Sequence, residues 1–266
     1  MNAILRKLSA ACLGILIACA TASAETPEEK GLAIAQEVDR RDTGWVSSET
    51  VLTMILANRH GQTSTRELTM KSLEMNEPGL GAKRLIVFSS PKDIDGTAFL
   101  SHTKVIEPDD QWLYLPALKR VKRISSSNKS GPFMGSEFAF EDFSSQVVEK
   151  YTYRYLRDEE LEGQDCFVFE RYPVYKNSGY TRQLMWVDKA EYRPLKTEFY
   201  DRKKSLLKTL IFGDYKKYNE KFWRAQRLSM TNHQSGKGTV LTFSDFDFDT
   251  ELSESLFTSA RLKRAR

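Results

Sequence analysis

From about residue 48 onward, apolar and polar residues trade places at every second position, in one short run after another. In "TRELTMKSL", Leu68 and Met70 point one way while Glu67, Thr69 and Lys71 point the other, the pattern of a half-buried strand. "YTYRYL" repeats it with Tyr151, Tyr153 and Tyr155, "RQLMWVD" with Leu184 and Trp186, and "LKTEFYD" with Leu195, Thr197 and Phe199. Further strands are predicted over residues 51–58, 83–89, 97–106, 112–115, 167–171, 206–212, 223–230 and 239–248. Turn signals separate them: "NRHGQ", "NEPGLG", "SPKDIDG", "EPDD", "KNSGY" and "HQSGKG". In the last strand the alternation shifts from Leu241 and Phe243 to Phe246 and Phe248, which predicts a bulge or bend.

About eleven strands in serial order, with little helix between them, make an antiparallel meander. A sheet of that width cannot leave both edges and an apolar face open to water, and its twist curls it toward a barrel. "TPEEKGLAIAQEVDRR" supplies cover. Thr26 caps, Pro27 takes the first helical position, and Glu29 completes a capping box. Leu32, Ala35 and Val38 then share one stripe. The expected fold is mainly β, a single curved antiparallel sheet forming an unclosed β-barrel with a helical lid. Its apolar cavity is lined by Leu, Met, Phe, Tyr and Trp side chains.

Residues 1–24 read as a signal peptide, and residues 25–266 as one domain. Arg6 and Lys7 form a basic start, residues 8–20 an apolar stretch, and Ala22-Ser23-Ala24 a small-residue cleavage site before Glu25. The stretch is short of the ~20 apolar residues of a membrane-spanning helix, so an exported, periplasmic protein that is not transmembrane is expected. "LIAC" ending at Cys19 also fits a lipobox, so a membrane-anchored lipoprotein is the alternative. Cleavage after Ala24 leaves Cys166 alone in the aromatic strand "QDCFVFE", without a disulfide partner and suited to the core. It also removes two bases, taking Lys and Arg from 40 to 38 against 36 acids, a net of +2. Such a balance speaks against nucleic acid as a partner.

The densest stretch is "DDQWLYLPALKRVKRISSSNKSGPFMGSEFAFEDF", residues 109–143. Trp112, Tyr114 and Trp186 alternate on strands, so each faces either a cavity or a closed core. Phe133 and Met134 stand between Gly131 and Gly135, with Phe138 close behind. They are either a gate over an apolar cavity, with methionine adapting to varied chains, or staples that pin a loop to the core. Trp112, Tyr114, Phe133, Met134, Phe138 and Trp186 are the candidate lipid-binding residues. Lys119, Arg120, Lys122 and Arg123 are candidates for contact with head groups or an acidic partner. The alternative is that they are solvated, or neutralised by Glu137, Glu141 and Asp142.

Catalysis has little footing. His60, His102 and His233 are scattered, and no HExxH, CxxC, GxSxG or phosphate-cradling glycine loop occurs. "DFDFD" at residues 245–249 lacks the glycine and terminal glutamate of a calcium loop. No enzyme activity, metal or cofactor is expected.

"SPKDIDGTAFL", "DDQWLYLPALKRVKRI", "FMGSEFAFEDF" and "MWVDKAEYRPLKTEFYD" resemble, in order, the outer-membrane lipoprotein-sorting protein family, a relative of the periplasmic lipoprotein carrier and its receptor. The resemblance runs from about residue 48 to about residue 257. It implies an unclosed barrel with a helical lid and a cavity for acyl chains, in proteins that often work beside an inner-membrane transporter exporting lipids. The lipoprotein carrier holds its lid with an arginine on an early strand, but no motif here assigns that role to a residue. The expected function is a periplasmic carrier, monomeric, that shields lipid or lipoprotein acyl chains. The alternative is a periplasmic sensor or adaptor that binds an envelope protein with the same fold.

Overall fold

The computed structural model describes residues 24–77 and 79–265. The signal segment up to residue 23, with Cys19, lies outside the described residues. Among the described residues fourteen strands form one sheet: β1 (Ser47–Ala57), β2 (Thr63–Leu73), β3 (Leu80–Ser90), β4 (Ala98–Lys104), β5 (Asp110–Leu115), β6 (Arg120–Ile124) and β7 (Tyr151–Leu161), then β8 (Gln164–Pro173), β9 (Tyr180–Asp188), β10 (Pro194–Asp201), β11 (Leu206–Tyr218), β12 (Phe222–Asn232), β13 (Gly238–Phe243) and β14 (Asp247–Phe248). The order across the sheet is β6-β5-β4-β3-β2-β1-β13-β12-β11-β10-β9-β8-β7, and β14 pairs with β1. The two edges, β6 and β7, are consecutive in the chain yet unpaired, so the barrel stays open there. Residues 125–150 join them.

Three local departures from simple alternation have physical causes. The basic tract forms the edge strand β6, hidden in the sequence because Lys and Arg occupy both of its faces. In β10 a register shift between Pro194 and Lys196 turns Leu195 to the outer face, against Cys166 and Trp186, while Thr197 and Phe199 keep to the inner parity. The predicted irregularity after Phe243 is present: Phe243 pairs with Leu52 and Phe248 with Ser48, one residue more on the later segment than on β1.

The helix α1 (Pro27–Arg41) is capped as its sequence predicts. The Glu29 N–H donates to Thr26 Oγ1 at 3.2 Å, and the Thr26 N–H to the Glu29 carboxylate at 2.8 Å. Ile34 and Ala35, with Val38, pack on Tyr153, Phe169, Met185 and Val187, so α1 covers the inner face of β7, β8 and β9. Leu32, expected on that stripe, is 38% exposed. The contact centres on Gly31, where a Cβ would stand 2.8 Å from the Tyr155 backbone nitrogen. The helix backbone therefore lies directly on β7, and Leu32 is turned outward.

The outer face carries its own apolar ground. Leu85, Val87, Ala98 and Leu100, with Trp112 and Tyr114, are covered by Leu252, Leu256, Phe257 and Leu262 of the C-terminal segment. A ring nitrogen of His102 lies 2.7 Å from the Phe257 carbonyl, the placement of an N–H donor. Burial holds His102 below the ordinary histidine pKa, with Lys83 pressing the same way and the Phe257 carbonyl, Asp110 and Glu254 opposing. The unfolded chain therefore takes the proton first as pH falls. The stability of this cover is expected to be fully present above about pH 6.5 and lost as pH falls through the lowered folded pKa. Hydrogen exchange at the Phe257 amide, corrected for intrinsic rate, checks this: protection drops between pH 7.5 and 5.5 in the wild type and stays flat in His102→Gln.

Candidate functional site

The inner face is read in cross-strand rows. One row, Thr50–Met70–Ile86–Phe99–Leu113, is apolar beyond β1. The next, Ser48–Ser72–Arg84–Ser101–Gln111, is polar throughout. On the other half of the sheet Leu210, Met230 and Leu241 continue the apolar ground.

Half of this face is filled from within. The connection over residues 125–150 folds back across it in short turns and buries Phe133, Phe138 and Phe143 against Leu52, Met54, Leu68, Phe88 and Phe99. Ionic and backbone bonds lock it to both halves. Lys208 on β11 donates to Asp142 and to the Glu137 carbonyl, each at 2.8 Å. Lys150 pairs with Asp109 at 2.5 Å, and the Ser144 hydroxyl donates to the same carboxylate at 2.7 Å. Arg84 donates to the Phe143 carbonyl at 2.9 Å, and Arg66 to that of Met134. Glu141 accepts from the Gly179 N–H at 2.8 Å and from the hydroxyls of Ser178 and Tyr175, and burial and Asp142 raise its pKa. The segment is a plug.

Between the plug and α1 a cavity of about 940 Å³ remains. Its apolar wall is Met70, Leu210, Phe212, Leu228, Met230, Leu241 and Phe243, with Ala35 and Val38 from α1 and Phe138 and Val147 from the plug. Its polar end holds Asp42, Trp45, Glu74, Arg84, Trp223 and Arg224. Asp42 caps the C-terminus of α1 and pairs with Arg224. Crowding by protein raises its pKa against the pull of Arg224, although its carboxylate meets water through the cavity. Glu74 accepts the N–H groups of Gly44 at 2.9 Å and Val46 at 3.1 Å, and so fixes the link from α1 to β1. Val46 holds φ 59°, a strained value for a β-branched residue. Arg84 is half-buried and faces the cavity. Burial, with Arg224 nearby, brings its pKa down to about 10 against the pull of Asp42, so it stays charged at neutral pH.

Of the residues singled out in the sequence, Phe138 lines this cavity. Phe133 is 0% exposed, with ring centroids at 4.3 Å from Phe143, 5.2 Å from Phe99, 5.4 Å from Phe140 and 5.9 Å from Phe88. That is a core position, and it corrects the reading of Phe133 as a gate. Met134, at φ 50°, packs on the same core at its border. Trp112 and Tyr114 lie on the outer face beneath the C-terminal segment, because their parity on β5 is opposite to that of Gln111 and Leu113. Trp186 is also an outer-face residue, beside Cys166, Val168 and Leu184, its indole N–H donating to Glu159 at 3.0 Å. Neither tryptophan reaches the cavity, nor does Tyr114.

Lys119, Arg120, Lys122 and Arg123 are exposed on the β5–β6 hairpin, beside Leu118, which is 62% exposed. Arg123 pairs with Asp110. Glu137, Glu141 and Asp142 do not neutralise this tract. They are engaged instead by Asn232, by the Tyr175–Gly179 turn and by Lys208. Sequence reading passed over Arg84, Arg224 and Lys208. Arg84 carried a usable signal, being a charge at the inward parity of Ala82, Ile86 and Phe88.

A family model described as that of an uncharacterized protein matches residues 81–264. No curated protein matches the chain in sequence. A crystal structure described as an outer membrane lipoprotein-sorting protein domain from Vibrio parahaemolyticus is 58% identical, with 89% of this chain and 100% of that chain covered and a TM-score of 0.86. A DUF1329 family protein from Desulfovibrio piger is 32% identical, with 89% and 99% covered and a TM-score of 0.84. A LolA superfamily protein from Nitrosomonas europaea shares the fold at 23% identity, with 86% and 97% covered and a TM-score of 0.69. Among the described residues no helix is long and apolar enough to cross a membrane.

Proposed function

Because the chain belongs to the outer-membrane lipoprotein-sorting protein family, we propose that it is a periplasmic carrier that shields the acyl chains of a lipid or lipoprotein in transit between membranes. The observation that carries this reading is the cavity between plug and α1. At about 940 Å³ it stands near the upper end of the ~300–1,000 Å³ usual for small-molecule sites, and its wall is Met, Leu and Phe. Affinity there comes by partition. About ten buried methylenes offer ~8 kcal/mol, which corresponds to a dissociation constant near ~1 μM before ordering costs. Nothing in such binding needs chemistry, which fits a non-enzymatic role. The exposed basic hairpin with Leu118 at its tip is where we place docking, onto lipid head groups or onto an acidic face of an inner-membrane transporter.

Native mass spectrometry of protein taken gently from the periplasm is expected to show bound lipid, and delipidated protein to take up a fluorescent fatty acid. Protein that is empty on isolation and takes up none in vitro would count against the carrier. Leu228→Trp, which fills the cavity from β12, is expected to weaken uptake about tenfold or more, a loss of at least ~1.4 kcal/mol, with little change in thermal midpoint. Unchanged uptake in that variant would place the chains elsewhere.

A further inference from the structure

The apolar wall and the polar end of the cavity meet at Arg84, and the environment of that residue is incomplete. Its Nη1 donates to the Phe143 carbonyl, while Nε is buried without a hydrogen-bond partner. Among the described residues no carboxylate forms a salt bridge with it. Of the acids near the same end, Asp42 is engaged by Arg224 and Glu74 by the amides of Gly44 and Val46, while burial, with Glu149, Asp42 and Glu74 nearby, raises the pKa of Asp39. Two more buried polar atoms lack partners, Gln111 Oε1 on the same cross-strand row and Ser145 Oγ two residues past the Phe143 carbonyl. Ser145 and Arg84 both line the cavity. A half-buried guanidinium whose Nε is shut off from both solvent and partner is incompletely satisfied, and its planar fork matches an oxyanion.

We propose that Arg84 is the recognition point for an anionic group on the cargo, a carboxylate or phosphate seated on its fork. The chains of such a cargo lie against Met70, Leu228 and Leu241. Ser145 donates from the plug as a second contact. This deepens the carrier reading and rests on it, and it sets an anionic amphiphile above an uncharged one of equal chain length. The same oxyanion chemistry is offered by a lipid head group and by free phosphate, so the test separates them.

Full-length mature protein, delipidated, is titrated at pH 8 with cis-parinaric acid and with the corresponding alcohol, and melted with and without inorganic phosphate. Wild type, Arg84→Met and Arg84→Lys are compared. The wild type is expected to prefer the acid by about tenfold or more, the order of a charge-assisted hydrogen bond. Arg84→Met is expected to lose that preference while still binding the alcohol. Arg84→Met also gives up the bond to the Phe143 carbonyl, so a modest fall in its thermal midpoint is expected, and binding is compared at a temperature where every variant is folded. Arg84→Lys keeps the charge without the fork and is expected to fall between them, which carries the test should the Met variant fail to fold. A phosphate-dependent rise in midpoint in wild type alone, with acid and alcohol bound equally, would place a free anion on the fork and leave the anion site standing. Equal binding of acid and alcohol by wild type, with no phosphate effect, overturns the site and leaves the carrier intact. Failure of both amphiphiles to bind wild type overturns the carrier with it.

Discussion

Phe133→Ala is expected to lower unfolding free energy by about 3–5 kcal/mol, the range for deleting a fully buried aromatic ring. The ring stands among Phe88, Phe99, Phe140 and Phe143 and is closed off from solvent. The plug is held in place by its bonds to both halves of the sheet, so the surroundings have little freedom to collapse into the void. Denaturant unfolding measures the loss. Trp112→Ala removes a larger ring that is only half-buried on the outer face, and a smaller loss is expected there. A Phe133→Ala protein as stable as wild type would return residues 131–135 to the role of a moving gate.

The second large effect is expected at Lys208. Its side chain is 4% exposed and that of Asp142 10%, and Tyr180 also donates to Asp142 at 2.8 Å. Lys208→Met strands a buried carboxylate, and breaking one side of such a pair costs about 3–5 kcal/mol. Lys208→Met with Asp142→Asn removes both charges and is expected to recover most of that loss, because the desolvation of two ions disappears with their attraction. The double-mutant cycle then shows a large coupling. Additive losses would mean that the plug is held by its aromatic side chains alone.

Much of the sheet was legible in the sequence because alternation survives wherever one face is buried. The helix cap at Thr26 and Glu29 and the burial of Cys166 were equally plain, since each depends on neighbours along the chain. Parity, however, says only that two residues share a face. It does not say which face, and here both faces are apolar, the outer one under the C-terminal segment at Trp112 and within a cluster with Cys166, Val168, Leu184 and Leu195 at Trp186. Trp112 and Trp186 therefore read as cavity residues when they are not. The plug stayed open between gate and staple for another reason. Gly131, Gly135 and the serines around them report tight turns, whereas immobility comes from Asp109, Arg66 and Lys208, all distant in sequence. Arg84 was missed because a charge at an inward position looks like an interruption of the pattern unless the rows beside it are known.

The open edges have a consequence for the life of this protein among its own copies. A strand without a neighbour offers its backbone to any other extended chain, and a wide sheet with two such strands is a template for stacking edge upon edge. β6 meets this with Arg120, Lys122 and Arg123 along a five-residue strand. A second copy pairing parallel and in register would set like charges opposite each other at Arg120, Lys122 and Arg123, on a strand too short to compensate. The basic tract thus allows the barrel to stay open, and with it the unpaired seam between β6 and β7, without inviting fibres.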